Sequence, residues 1–316
     1  MPQLVTAPES PARAGDALAA SPQKPPADVP LAPIVCGVDG RYVRPLGALM
    51  ASIAAAHPDC VGQLRMIVVH HGLDSGAHRQ IRLQAGRLNL SVELRQSPPM
   101  TTRFPVSGWV SDAVYLRLAL PDVVPDVPVV LYLDTDTLVV SDLRPLLRLP
   151  LRGAALAAVR DPQNPTVGAG IALPGWRHIG VPDGREYFNS GVMLINLREA
   201  ARLGVFERAR QFLTEHPEHV RLWDQDALNV AAEDRWLRLD RRWNTFAMSP
   251  LTTLPGFFHH TAEPVMPLAD LLADEYAAAV LHFAGPVKPW TVDYPAVPLR
   301  HLYRRYLTAV NAPEGS

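Results

Sequence analysis

Val127-Pro-Val-Val-Leu-Tyr-Leu-Asp-Thr-Asp136 is a hydrophobic run that ends in two carboxylates. A continuous stretch of Val, Leu and Tyr reads as a strand buried on both faces, which is how strands of parallel sheets read. Such a strand delivers Asp134 and Asp136 to its carboxyl end, where open α/β sheets collect ligands. If the segment stays extended, residues two apart point the same way, so both carboxylates face one site and Thr135 faces away. Two carboxylates held close call for a counter-charge. Mg²⁺ and Mn²⁺ accept a few carboxylate oxygens and complete their shells with phosphate and water. An isolated Asp-x-Asp is weakly specific and is usually a solvated acidic turn. The strand leading into this one, and the segments downstream, favour a cation site.

Working outward, Ala32 to Val38 predicts a strand ended by Asp39-Gly40, followed by helical spacing through Leu46, Leu49, Met50 and Ile53 up to Pro58. Leu64 to Val69 predicts a second strand, Asp74 the N-cap of a helix through Ile81, Leu83 and Leu88, and Val92 to Leu94 a third strand. This β-α-β-α-β order argues for an α/β fold with a mostly parallel central sheet covered by helices. Beyond a loop at Ser97 to Val106, the segment Trp109 to Leu120 reads as a helix carrying Tyr115 and Arg117 and closed by Pro121. Gly191 to Leu197 reads as an internal strand, Asp224 to Ala232 as a helix and Val280 to Phe283 as a short strand. The expected organisation is a Pro/Ala-rich disordered leader over 1–30, one catalytic domain over 31–295 and a C-terminal helical tail over 296–316. Within the tail, Leu299 to Leu307 is basic and amphipathic. It suits either a peripheral contact with an anionic membrane or a closing helix packed on the domain.

Composition bounds the function. A chain of 316 residues, 48% hydrophobic, buries a substantial core without staples. Its 30 basic and 31 acidic residues leave a formal net charge of -1, a poor match for nucleic acid. The two cysteines, Cys36 and Cys60, form no CxxC and fit a reducing compartment, with Cys36 a small buried hydrophobe. No run reaches the ~20 apolar residues of a membrane span, and the first residues lack the apolar core of a signal peptide. The expected location is the cytoplasm, with a peripheral position at the inner face of the membrane as the variant.

Leu131-Tyr-Leu-Asp-Thr-Asp-Thr-Leu-Val139 resembles the metal-binding segment of glycosyltransferase family 8, the family of bacterial lipopolysaccharide galactosyl- and glucosyltransferases and of glycogenin. Four further segments agree in order and approximate spacing: Tyr187-Phe-Asn-Ser-Gly-Val-Met-Leu-Ile-Asn-Leu197, Trp223-Asp-Gln-Asp-Ala-Leu-Asn229, Arg242-Trp-Asn244 and His282-Phe-Ala-Gly-Pro-Val-Lys-Pro-Trp290. The similarity spans about residues 33 to 291. It implies a GT-A, Rossmann-like nucleotide-sugar-binding fold, a UDP-sugar donor, a divalent cation (Mn²⁺, with Mg²⁺ the alternative) and retention of anomeric configuration.

The resemblance also implies roles. Asp134, Asp136 and His282 match the metal ligands, and neutral imidazole is a common ligand. Gly285 permits close backbone approach and Lys288 supplies a point charge for the diphosphate. Asp39 matches the position near uracil and ribose, and Tyr42 an aromatic that stacks on the base. Arg117, Thr135, Asn189 and Ser190 fall with the donor site. Asp224 and Gln225 match the reaction centre, where a carboxylate and an amide suit recognition of sugar hydroxyls. The alternative for Asp224 and Asp226 is an acidic pair favouring the helix dipole, which suits Asp226 more than Asp224. Trp290 reads as packing under the loop. Two departures stand out: Gly40 and Arg41 replace an Asn that many relatives carry near the ribose, and Trp109 falls where some galactosyltransferases have a histidine.

The chemistry implied is metal-assisted departure of UDP, with an acceptor hydroxyl attacking on the face that UDP leaves. An amide is a poor substitute for a carboxylate nucleophile, so Gln225 disfavours double displacement. Two rivals stand beside this: a metal-dependent nucleotidyl- or phosphotransferase, which lacks support in a chain without GxxxxGK[ST], and a catalytically weak UDP-sugar-binding protein. The hexose stays open between galactose and glucose. The acceptor, a glycan or lipid-linked saccharide, is not encoded in loops such as Gly170 to Arg185.

Overall fold

The computed structural model describes residues 30–99, 103–108, 110–250, 252 and 267–311. The leader read over 1–30 lies outside them except for Pro30, and Trp109 lies outside as well.

The first half is the expected alternation. Strand β1 (Ile34–Val38) leads through a short 3-10 turn into α1 (Val43–Ala56), then come β2 (Arg65–His70), α2 (Ser75–Arg87) and β3 (Ser91–Gln96). Asp74 caps α2, its side chain accepting from the Ala77 amide at 2.7 Å. A 3-10 helix (Asp112–Ala119) and the short α3 (Leu120–Val123) precede β4 (Val129–Leu133). The element holding Arg117 is therefore 3-10 rather than α-helical, and Pro121 does not close it. Pro121 sits in the first turn of α3, where a missing N–H costs nothing.

Next come β5 (Thr137–Val139), α4 (Arg144–Leu147), β6 (Leu156–Arg160) and β7 (Phe188–Asn196). The strand expected over Gly191 to Leu197 starts three residues earlier. It also stops at Asn196, whose side chain caps α5 (Leu197–Arg202) by accepting from the Glu199 amide. The chain finishes with α6 (Val205–Glu215), α7 (Trp223–Ala232), β8 (Trp236–Arg238), β9 (Thr245–Phe246), α8 (Leu268–Ala277), β10 (Val280–His282) and α9 (Val297–Asn311).

Seven strands form the main sheet in the order β3-β2-β1-β4-β7-β6-β8. β7 runs antiparallel to β4 and β6, and all other pairings are parallel. The period of two sorts each strand between two cores. Val35, Val130, Tyr132, Met193 and Ile195 pack on one face with the 3-10 helix, α6 and α7. Ile34, Cys36, Val38, Leu131, Leu133, Val192 and Leu194 pack on the other with α1 and α2. Cys36 is fully buried, as its apolar surroundings suggested, and burial pushes its thiol pKa up.

A smaller sheet, β5-β10-β9, stands against the carboxyl end of β4. β10 belongs to it, antiparallel to β5 and parallel to β9. Helix α9 packs along α1: Tyr303, Tyr306, Leu307 and Val310 join a core with Ala48, Ala51, Leu138 and Phe283. Its apolar face is thus spent on the domain, while Arg304 and Arg305 are exposed. Among the described residues no helix is long and apolar enough to cross a membrane.

Candidate active site

At the end of β4 the chain turns sharply. The Asp134 amide donates to Gly191 O at 2.8 Å, and the Asp134 carbonyl accepts from the Thr137 amide at 3.2 Å and its hydroxyl at 2.8 Å. Asp134 and Asp136 converge through this turn, so the extended geometry anticipated for the pair does not hold. Thr135, expected to face away, is buried and lines the same cavity.

His282 arrives from β10, whose register sets it opposite Thr137. Its Nε2 lies 3.4 Å from Asp136 Oδ1 and 3.9 Å from Asp134 Oδ2. The ligating atoms of the three residues lie within 4.8 Å of one another. Nδ1 meets Asn244 Oδ1 at 2.9 Å, and Asn244 Nδ2 donates to Asn189 Oδ1 at 2.8 Å, which fixes the amide with its oxygen toward the ring. Nδ1 then carries the proton and Nε2 turns a lone pair toward the carboxylates, as a metal ligand requires. Two carboxylates and one neutral imidazole suit Mn²⁺ or a similar divalent cation and leave positions for phosphate oxygens. Gly191 makes room: a Cβ there would fall 2.3 Å from His282 Cε1 and 2.9 Å from Asp134 Oδ2.

Two buried cations flank the carboxylates. Lys288 Nζ donates to Asp136 Oδ2 at 2.5 Å and to Phe283 O at 2.8 Å. Burial opposes ionisation of Asp136, but the Lys288 ammonium against it more than offsets this and holds the carboxyl below the usual range. Arg117 is buried. Its Nη2 donates to Asp134 Oδ1 at 2.7 Å, Nη1 to Ser190 O at 2.6 Å, and Nε lies 3.1 Å from Asp224 Oδ2. The guanidinium also stacks over the Tyr132 ring at 4.6 Å.

Across the cavity, α7 supplies Asp224 and Gln225. Asp224 Oδ2 accepts from Ser190 Oγ at 2.9 Å. Burial raises its carboxyl to about 6, with Arg117 opposing part of the rise. Gln225 Oε1 accepts from Asn189 Nδ2 at 2.7 Å and from the Ser190 amide at 3.0 Å, while its Nε2 donates to Asp161 Oδ2 at 3.1 Å. At the other end, Asp39 accepts from the Arg41 and Tyr42 amides and from Ser111 Oγ at 2.7 Å. Tyr42 meets Trp290 edge-on at 5.8 Å, and Trp290 packs in turn on Tyr303. Gly285, at φ +86°, takes the left-handed turn between His282 and Lys288.

Asp39, Tyr42, Arg117, Asp134, Thr135, Asp136, Asn189, Ser190, Asp224, Gln225, His282, Gly285 and Lys288 all line one cavity of about 510 Å³. The sequence reading missed Asp161, which follows β6 and holds the Gln225 and Asn189 amides, along with Ser111 and the role of Asn244. Asp161 had a signal, since it too is a carboxylate at the end of an apolar run, Leu156 to Val159. Asp226 stands in the first turn of α7 as that reading expected, and beyond it is fully buried and accepts from Tyr187 Oη at 2.6 Å and from the amides of Leu173, Arg221 and Leu222. It fixes the turn before α7, where Trp223 sits at φ +49°.

The sequence profile described as glycosyl transferase family 8 matches residues 33–293. General stress protein A of Bacillus subtilis is 28% identical over 281 residues, covering 86% of this chain and 90% of that protein. Lipopolysaccharide 1,2-glucosyltransferase of Escherichia coli is 27% identical, covering 84% of this chain and 75% of its own length. Among solved structures, galactosyltransferase LgtC in complex with donor and acceptor sugar analogs superimposes with a TM-score of 0.69 at 27% identity, over 90% of this chain and 96% of that one.

Proposed function

The chain belongs to glycosyl transferase family 8 and is a hexosyltransferase, and from that premise we propose that it moves galactose or glucose from a UDP-sugar to a saccharide hydroxyl with retention, using Mn²⁺. The observation that carries this reading is the convergence of Asp134, Asp136, His282 and Lys288 on one side of a cavity whose other side holds Asp224 and Gln225.

Asp134, Asp136 and His282 would hold the cation, which would supply Lewis-acid stabilisation of charge on the diphosphate. Lys288, which pairs with Asp136, would supply a second positive charge on the leaving side. Arg117 keeps Asp134 and Asp224 in fixed relation, so the ligand end and the sugar end of the cavity move as one. Asp224 accepts from hexose hydroxyls. Gln225, locked by Asn189, Ser190 and Asp161, lies beside the anomeric carbon without attacking it. The bond from the anomeric carbon to the UDP oxygen breaks, its electron pair leaving with UDP. The acceptor oxygen bonds to the same face and its proton passes to the departing phosphate. Tyr42 and Asp39 face the nucleoside end.

Similarity to lipopolysaccharide glucosyltransferases supports a lipid-linked or lipopolysaccharide saccharide as acceptor. The test is hydrolysis of UDP-glucose and UDP-galactose followed by NMR, with and without Mn²⁺. An α-configured first product supports the reading; a β-configured product, or turnover of a nucleoside triphosphate instead, contradicts it.

A further inference from the structure

Far along the chain from the donor ligands, His216-Pro-Glu-His219 follows α6, and Pro217 opens a 3-10 turn over Pro217–His219. The His219 amide donates to His216 O at 3.0 Å and the Val220 amide to Pro217 O at 3.3 Å. In a 3-10 turn, side chains three apart eclipse. The imidazoles of His216 and His219 accordingly stack at 5.9 Å and 15°. Glu218 completes the edge, its Oε1 lying 3.4 Å from His219 Nε2. Ligating atoms of His216, Glu218 and His219 lie within 4.8 Å of one another.

A third imidazole, the fourth candidate ligand, comes from elsewhere. His178 belongs to the loop before β7 and stacks on His219 at 5.6 Å and 11°. That approach depends on Gly175, where a Cβ would fall 2.0 Å from His219 Nδ1. The same loop carries Ile171 into the donor cavity and is pinned at Leu173 by Asp226. Two or three imidazoles and one carboxylate make a nitrogen-rich set, unlike the oxygen-rich Asp134 site, and imidazole suits Zn²⁺ and its neighbours. Tetrahedral zinc needs ligand atoms about 3.3 Å apart, a contraction that rotation of the exposed His178 and Glu218 and of the half-buried His216 and His219 supplies.

We infer that His216, Glu218 and His219, with His178, form a second metal site that takes a Zn²⁺-class cation and ties the loop around residues 171–181 to the end of α6. The site does not depend on the donor reading. The experiment is zinc titration by calorimetry on untagged full-length protein in saturating Mn²⁺, with thermal melts alongside. Wild type and Asp134→Asn/Asp136→Asn are expected to take up about one tightly bound zinc and to melt higher with it. His216→Ala/His219→Ala is expected to lose that uptake and the shift, with an unchanged circular dichroism spectrum. His178→Ala is expected to weaken zinc about 10-fold or more, since it removes one ligand only. Zinc uptake that survives in His216→Ala/His219→Ala, or that vanishes in Asp134→Asn/Asp136→Asn, overturns the assignment.

Discussion

Asn189 Nδ2 donates to Gln225 Oε1 at 2.7 Å, so the Gln225 amide is oriented by a neighbour on β7 rather than left to rotate. Asn189 is held in turn by Asn244, which orients His282. A single chain of amides therefore runs from His282 to Gln225. Asn189→Ala removes its middle, leaving Gln225 and Asn244 each short of a partner, at a cost of about 1–3 kcal/mol in stability. Turnover is expected to fall about 10- to 100-fold while KM for the donor changes less. Steady-state kinetics with a urea melt checks both; unchanged turnover removes the chain from the account.

Gly191→Ala tests the room behind His282. The added methyl lands on the His282 ring and the Asp134 carboxylate, and β7 is too deeply buried to yield. The imidazole must move out, and the apparent Mn²⁺ affinity is expected to weaken about 10-fold or more. A Mn²⁺ titration of donor hydrolysis that matches wild type contradicts this geometry.

Asp224 sets an acid limit. Its carboxyl sits near 6 in the folded chain against 3.8 in a free side chain, because burial disfavours the charge. Only the ionised form pairs with Arg117, so kcat/KM is expected to fall as pH drops through about 6. Stability responds with the opposite sign. The folded state binds this proton more readily than the unfolded chain, so the group's contribution is full below about 4 and is lost as pH rises through about 6. In Asp224→Asn the residual rate is expected to be flat over that window. A wild-type profile level from pH 7 to 5 contradicts the assignment.

Much of this was legible in the sequence where one local rule decided the outcome. β4 and its terminal carboxylates follow from an unbroken apolar run, and Asp74 capped its helix because a short acidic side chain reaches the third amide. The rest depended on tertiary placement. The 3-10 winding that buries Arg117 between Asp134 and Asp224 has no periodicity distinct from an α-helix over eight residues. Asp226 resembled a helix-dipole acid, and only the path of the loop through Leu173 turns it into a buried hub. The convergence of Asp134 and Asp136 was anticipated, but the turn that achieves it, closed by Thr137, is anchored at Asp134 by Gly191, about sixty residues downstream. Likewise α9 presents the same amphipathic pattern whether its partner is a membrane or α1, and packing assigned that face to α1.

The central claim is that Asp134, Asp136 and His282 hold one divalent cation on which the donor diphosphate rests. Asp136→Asn keeps the size of the side chain and removes the charge facing Lys288 and His282. The direct measurement is UDP-sugar hydrolysis and transfer by Asp134→Asn, Asp136→Asn and His282→Ala across a Mn²⁺ titration. Each variant is expected to lose about 10²- to 10⁴-fold in turnover and to need more Mn²⁺. If all three keep wild-type turnover in the presence of chelator, the cation site and the mechanism built on it are contradicted.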